Sequence, residues 1–143
     1  MIGDFFRLLL IVVTLLGLDG LYLKLNSEAY LTTFANIQKA PIQINYLGAI
    51  IAYLALIIGA YVTTGLGSNM EIPFIGKILP NLQGQIKNAR IYATAFLFFI
   101  GYLLFNGTTM AIFKDYSWRI AIMDTAWGTL LGLIVGYITQ LFM

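Results

Sequence analysis

Apolar residues run along this chain in four long blocks: Phe5 to Leu25, Tyr46 to Leu66, Arg90 to Phe113, and Arg119 to Phe142. A helix that crosses a bilayer needs about 20 mostly apolar residues, and each block supplies that length. Between the first two lies a polar stretch, Asn26 to Asn45, broken by Pro41. Between the second and third, Gly67, Pro73, Gly76, Pro80 and Gly84 punctuate the backbone and predict an irregular or interfacial segment. Within it Phe74, Ile75, Ile78 and Leu79 are expected to lie flat at the lipid surface. The last connection is short, so the third and fourth blocks predict a tight antiparallel hairpin, with Ser117 as N-cap of the final helix. The pattern predicts an all-α integral membrane four-helix bundle, its spans running up and down in one domain over residues 1–143.

Composition sharpens this picture. Of 143 residues, 60% are hydrophobic and only 10% charged, and the mean hydropathy is +0.87. A soluble domain carries about 25% charged residues, so this chain cannot cover a water-facing surface and lipid is its outer solvent. Cysteine and histidine are both absent. That excludes disulfides and thiolate metal sites, and it removes the commonest general base and metal ligand. No metal or cofactor is expected. The net charge of +2 gives no platform for nucleic acid. The expected partners are membrane lipids, a second copy of the chain or other membrane proteins.

The first block is not expected to act as a cleaved signal. Its flank has only Arg7, its apolar run contains Asp19, and no small-x-small site follows. Orientation is balanced. Arg7, Lys77, Lys87 and Arg90 fall on one side of the predicted bundle; Lys24, Lys39, Lys114 and Arg119 fall on the other. Lysine and arginine therefore do not decide which side is cytoplasmic. The free N-terminal amine tips the expectation towards cytoplasmic termini.

Two residues break the apolar pattern in a way that asks for an explanation. Asp19 lies near the end of the first span and Asp124 about two turns into the fourth. An ionisable side chain at such a place costs at least about 2.5 kcal/mol. Alternating spans bring both towards one membrane face, where Asn106, Thr108 and Thr109 end the third span. Tyr22, Tyr102 and Trp127 stand at neighbouring levels. The cluster reads either as a pocket for a headgroup, an ion or a proton, or as an interhelical hydrogen-bond hub with one or both carboxyls protonated by burial. An intramembrane aspartyl hydrolase would also use two aspartates, but nothing near Gly-Leu-Asp-Gly or Met-Asp-Thr supplies an oxyanion hole.

The fourth span carries a second signal. Asp124, Gly128, Gly132 and Gly136 recur every four residues and form one stripe. Small residues at this spacing let helices approach closely, either within the bundle or in a homodimer. Gly48, Ala52, Ala55 and Gly59 form a looser stripe on the second span. Asn106-Gly107-Thr108 matches a glycosylation sequon but lies in a span and is read as chance. Met1-Ile2-Gly3 lacks the glycine that myristoylation requires. Tyr46, Tyr92, Tyr116, Trp118 and Tyr137 are expected to form aromatic belts at the interfaces.

The run Phe105-Asn106-Gly107-Thr108-Thr109-Met110-Ala111-Ile112-Phe113-Lys114, followed by Asp124-Thr125-Ala126-Trp127-Gly128-Thr129, resembles the four-pass membrane family called domain of unknown function 2177. Leu18-Asp19 with Tyr22 resembles its first-helix pattern, and Tyr30 resembles a tyrosine of its first loop. The resemblance implies a four-helix membrane fold with the same polar cluster, and no activity. Where the family carries Asp and Asn late in the third helix, this chain has Asn106 and Thr109, so a third carboxylate is missing. Relatives in bacteria and large DNA viruses imply a bacterial inner membrane, or a host or virion membrane. The favoured expectation is a structural or interaction component of a membrane or membrane assembly. The rivals are a small proton- or ion-coupled channel or transporter using Asp19 and Asp124, and a lipid-modifying enzyme.

Overall fold

A computed structural model describes residues 2–65 and 86–142. Five helices span most of these residues: α1 (Ile2–Leu25), α2 (Ser27–Gln38), α3 (Tyr46–Gly65), α4 (Ile86–Ile112) and α5 (Trp118–Phe142). All but α2 are long and apolar enough to cross a membrane. The molecule is an all-α bundle of membrane helices. The expected interfacial stretch with Phe74, Ile75, Ile78 and Leu79, and the charge of Lys77, lie outside the described residues. The third span runs Ala89–Ile112, and its helix extends a turn before it, from Ile86.

Side chains point outwards where lipid is expected. Phe5, Leu9, Val13 and Leu16 on α1 are exposed, as are Ile50, Leu54 and Ile58 on α3. The inward faces repeat every three to four residues, as a helix one side of which meets its neighbours must. Ile11 and Leu15 of α1, Ala60 of α3, Phe98 of α4, and Leu131 and Val135 of α5 form one buried core.

The closest pairing is α4 with α5, and the glycine stripe is the reason. Gly128 lies under the ring of Tyr102. An added Cβ at Gly132 would stand 2.9 Å from the Ala95 Cα and the Thr94 carbonyl oxygen, and one at Gly136 would stand 2.9 Å from the Ile91 Cα. These contacts step backwards along α4 as they advance along α5, so the two helices are antiparallel. The hairpin turn covers 113–117, and the Ile120 amide donates to the Ser117 hydroxyl at 3.5 Å, which places Ser117 at the N-cap.

The stretch read as a polar loop contains α2. Its apolar residues Tyr30, Phe34 and Ile37 recur at helical spacing and pack against Tyr116, Ile120 and Ala121. No residue of α2 is fully buried, so a helix lying on the end of the bundle looks polar in sequence. It stops at Lys39, whose φ of 54° is left-handed, and Pro41 two residues on prevents resumption.

Candidate functional site

The antiparallel arrangement brings the late part of α1, the early part of α3, the late part of α4 and the early part of α5 to one end of the bundle. Asp19 and Asp124 are both buried there, 6% and 7% exposed. Every one of their four carboxylate oxygens accepts a hydrogen bond from another element. The Asp124 Oδ1 accepts from the Tyr30 hydroxyl of α2 at 2.6 Å. Its Oδ2 accepts from the Asn106 Nδ2 of α4 at 2.8 Å. The Asp19 Oδ1 accepts from the Trp127 Nε1 of α5 at 2.9 Å and, more weakly, from the Tyr102 hydroxyl at 3.5 Å. Its Oδ2 accepts from the Tyr53 hydroxyl of α3 at 2.7 Å.

Asn106 is the hub of the Asp124 half. Tyr116 donates to its Oδ1 at 2.7 Å, which leaves the amide hydrogens for Asp124, the Tyr102 carbonyl at 2.9 Å and the Thr125 hydroxyl at 3.3 Å. With its nitrogen so engaged, Asn106 is no sugar acceptor. Tyr22 links the two halves by packing. Its hydroxyl meets that of Tyr30 at 3.1 Å, and its ring stacks on Trp127 with centroids 4.5 Å apart. Since Tyr30 gives its proton to Asp124, Tyr22 is the donor in that pair.

Two tyrosines of the network lie outside the spans, and burial raises the pKa of both. For Tyr30 the hydrogen bond to Asp124 adds to burial. Tyr116 is pushed up to about 12, with the charge of Asp124 as the second cause. Both hydroxyls therefore remain donors at neutral pH. Among the described residues, neither Asp19 nor Asp124 is paired with a lysine or arginine. The donors are aromatic hydroxyls, an indole and an amide.

A comparison with family models finds that the family described as "Predicted membrane protein (DUF2177)" matches residues 5–141. The chain belongs to this family. No curated protein and no solved structure matches it. The DUF2177 match takes in every member of the network, from Asp19 to Trp127, so the cluster lies within the family's shared region and is no appendage to it.

In this DUF2177 chain the structure unites Asp19, Asn106 and Asp124 with Tyr22, Tyr102 and Trp127. It does not bring in Thr108, which is exposed and donates to the Leu104 carbonyl. Two positions after Asn106, Thr108 is about 200° further round the helix and faces away. Thr109, three positions on, is buried on the right side, but its hydroxyl donates to the Phe105 carbonyl at 2.7 Å. That hydroxyl is thus spent on the helix itself.

Tyr30, Tyr53, Tyr116 and Thr125 were not part of the expected cluster. Tyr116, expected in an aromatic belt, is 5% exposed and turned into the bundle. Its apolar neighbours explain this, since its ring packs on Phe34 of α2 with centroids 5.7 Å apart. The signal for Tyr30 was present in the Tyr30, Phe34, Ile37 spacing. Tyr46, Tyr92, Trp118 and Tyr137 are all exposed, as belt residues would be.

Proposed function

We propose that this membrane protein is a non-catalytic structural component of a membrane assembly, and that its polar cluster is a lock on one end of the bundle. The observation that carries this reading is the division of the network. Asp124 is joined through hydroxyls to Tyr30 and Tyr22, but the next link towards Asp19 is ring stacking on Trp127, and the indole N–H of Trp127 only donates. The side-chain hydrogen bonds of the two halves do not join at that step, which supports reading the two carboxylates as separate acceptors that tie α1, α2, α3, α4 and α5 together. Outward-facing small residues support the assembly half of the reading. At Gly17 and Gly20 of α1 an added Cβ would meet nothing within 4 Å, and small residues on a membrane helix permit close approach of a neighbour.

Reconstitution of the full chain in liposomes tests this against a proton-coupled transporter. Under an imposed pH gradient, the expected decay equals that of protein-free liposomes, for the wild type and for Asp124→Asn alike. Asp124→Asn is expected to keep the fold. Asp124→Ala strands the Tyr30 and Asn106 donors, at about 1–3 kcal/mol each in a water-soluble frame and nearer about 0.6 kcal/mol each if the membrane average holds. A wild-type flux above background that Asp124→Asn abolishes would overturn the proposal.

A further inference from the structure

The opposite end of the bundle holds a cation that the cluster does not use. Arg7, one turn into α1, is 15% exposed at its side chain. Its guanidinium lies over the Tyr61 ring of α3, with Cζ 4.2 Å from the centroid. One turn further along α3, an added Cβ at Gly65 would stand 2.9 Å from the Arg7 Nη2. Arginine is thus seated across the end of α3. Its charge is poorly matched. The Asp4 Oδ1 approaches Nη2 only to 3.4 Å from an exposed side chain, and among the described residues the buried Nε–H has no acceptor.

Directly below this cation, between α1 and α3, is an apolar groove of about 140 Å³ lined by Leu8, Ile57, Ile58 and Tyr61. Its size is close to that of a cavity of about 150 Å³ that takes up benzene. Leu8 follows Arg7 in sequence, and Ile57 and Ile58 lie one turn deeper than Tyr61. The order from the bundle end inwards is therefore guanidinium, aromatic ring, apolar trough. A phospholipid has the same order: phosphate, glycerol backbone, acyl chain.

We infer that Arg7 and the α1–α3 groove form a binding site for an anionic phospholipid of the surrounding bilayer. The headgroup phosphate meets the Nη face of Arg7, where a guanidinium presents parallel donors suited to two phosphate oxygens. The first segment of one acyl chain occupies the trough against Leu8, Ile57 and Ile58. The cation–π contact with Tyr61 and the close fit over Gly65 hold the guanidinium in place for this.

Native mass spectrometry of the full chain in detergent tests the site, with dioleoyl phosphatidylglycerol and dioleoyl phosphatidylcholine as probes. Both headgroups carry the phosphate, but the choline ammonium offsets its charge and the glycerol headgroup does not, so the unaltered protein is expected to retain the glycerol lipid roughly fivefold more than the choline lipid. Arg7→Gln should bring the glycerol lipid down to the level of the choline lipid, and Arg7→Lys should keep part of the preference. Ile58→Trp, which fills the trough, should lower retention of both lipids. Equal retention of the two lipids by the unaltered protein overturns the inference, as does an undiminished preference in folded Arg7→Gln. Should Arg7→Gln fail to fold, the unaltered protein still decides. Glycerophosphoglycerol, which has the headgroup and no acyl chain, held as well as the dioleoyl form would mean that the trough takes no acyl chain, which also overturns the site.

Discussion

Replacing Gly132 with alanine adds a single methyl group, yet it should separate two helices. The new Cβ would stand 2.9 Å from the Ala95 Cα, the Thr94 carbonyl oxygen and the Phe98 Cβ. Two of these atoms are backbone and cannot turn aside, so α4 and α5 must move apart along a contact that also carries Phe98, Leu131 and Val135 of the core. Overpacking of this kind costs about 1–3 kcal/mol. Helix propensity works in the other direction, since alanine is favoured over glycine by about 1 kcal/mol in a helix interior. The net expectation is a loss of roughly 0–2 kcal/mol for alanine, and a larger loss for leucine. Gly101→Ala is the control, because its Cβ would meet nothing within 4 Å. There only the propensity gain remains, so the same chemical change should leave stability unaltered or raise it by up to about 1 kcal/mol. Unfolding in mixed micelles, followed by circular dichroism and titrated with a denaturing detergent, measures both. Gly132→Ala at least as stable as Gly101→Ala would refute the claim that backbone contact, and not lipid, lies opposite the stripe.

Three further outcomes are expected. Tyr30→Phe removes the 2.6 Å bond to Asp124, and α2 has no fully buried residue to hold it otherwise; amide exchange across α2 should quicken roughly tenfold or more while the middle of α5 is unchanged. The Tyr116 pKa is raised from 10.0 to about 12, so folding favours its neutral form; its contribution is fully present below pH 10 and lost as pH rises through about 12, which tyrosinate absorbance and stability should report together. Compartment-sensitive reporters fused to the two ends should read the same side of the membrane, the cytoplasmic one, and opposite readings would remove the four-span arrangement.

The spans were legible because a bilayer admits few solutions: some 20 apolar residues in a helix. Asp19 and Asp124 were legible for the complementary reason, since a carboxylate in such a block stands out against everything around it. Their common level followed from the alternation of spans alone. What escaped was direction around the helix axis. Thr108 and Thr109 stand at nearly one level, and only their angular positions separate the exposed residue from the buried one. Tyr116 escaped similarly, because a tyrosine near an interface has the same sequence context whether it faces lipid or a neighbour. The α2 helix was hidden by its place on the bundle end, where one apolar face of Tyr30, Phe34 and Ile37 is enough and the rest of the surface stays polar.

The Asp19 network has a consequence for the order in which the chain is made. Its donors Tyr53, Tyr102 and Trp127 follow it by 34, 83 and 108 residues. At ordinary rates of synthesis, the last of them emerges roughly 5–20 s after the aspartate. Tyr53 of α3 arrives first and can claim Oδ2, but until α5 is made Oδ1 has only the long Tyr102 contact of 3.5 Å. Arrival of α5 ends the wait on both sides at once, bringing Trp127 to Asp19 and Asp124 to Tyr30 and Asn106. A ribosome product truncated before Trp118 would carry an acid in its first helix that is only half claimed, its Oδ1 lacking the Trp127 donor, and the membrane's own aversion to that acid would mark the chain as unfinished.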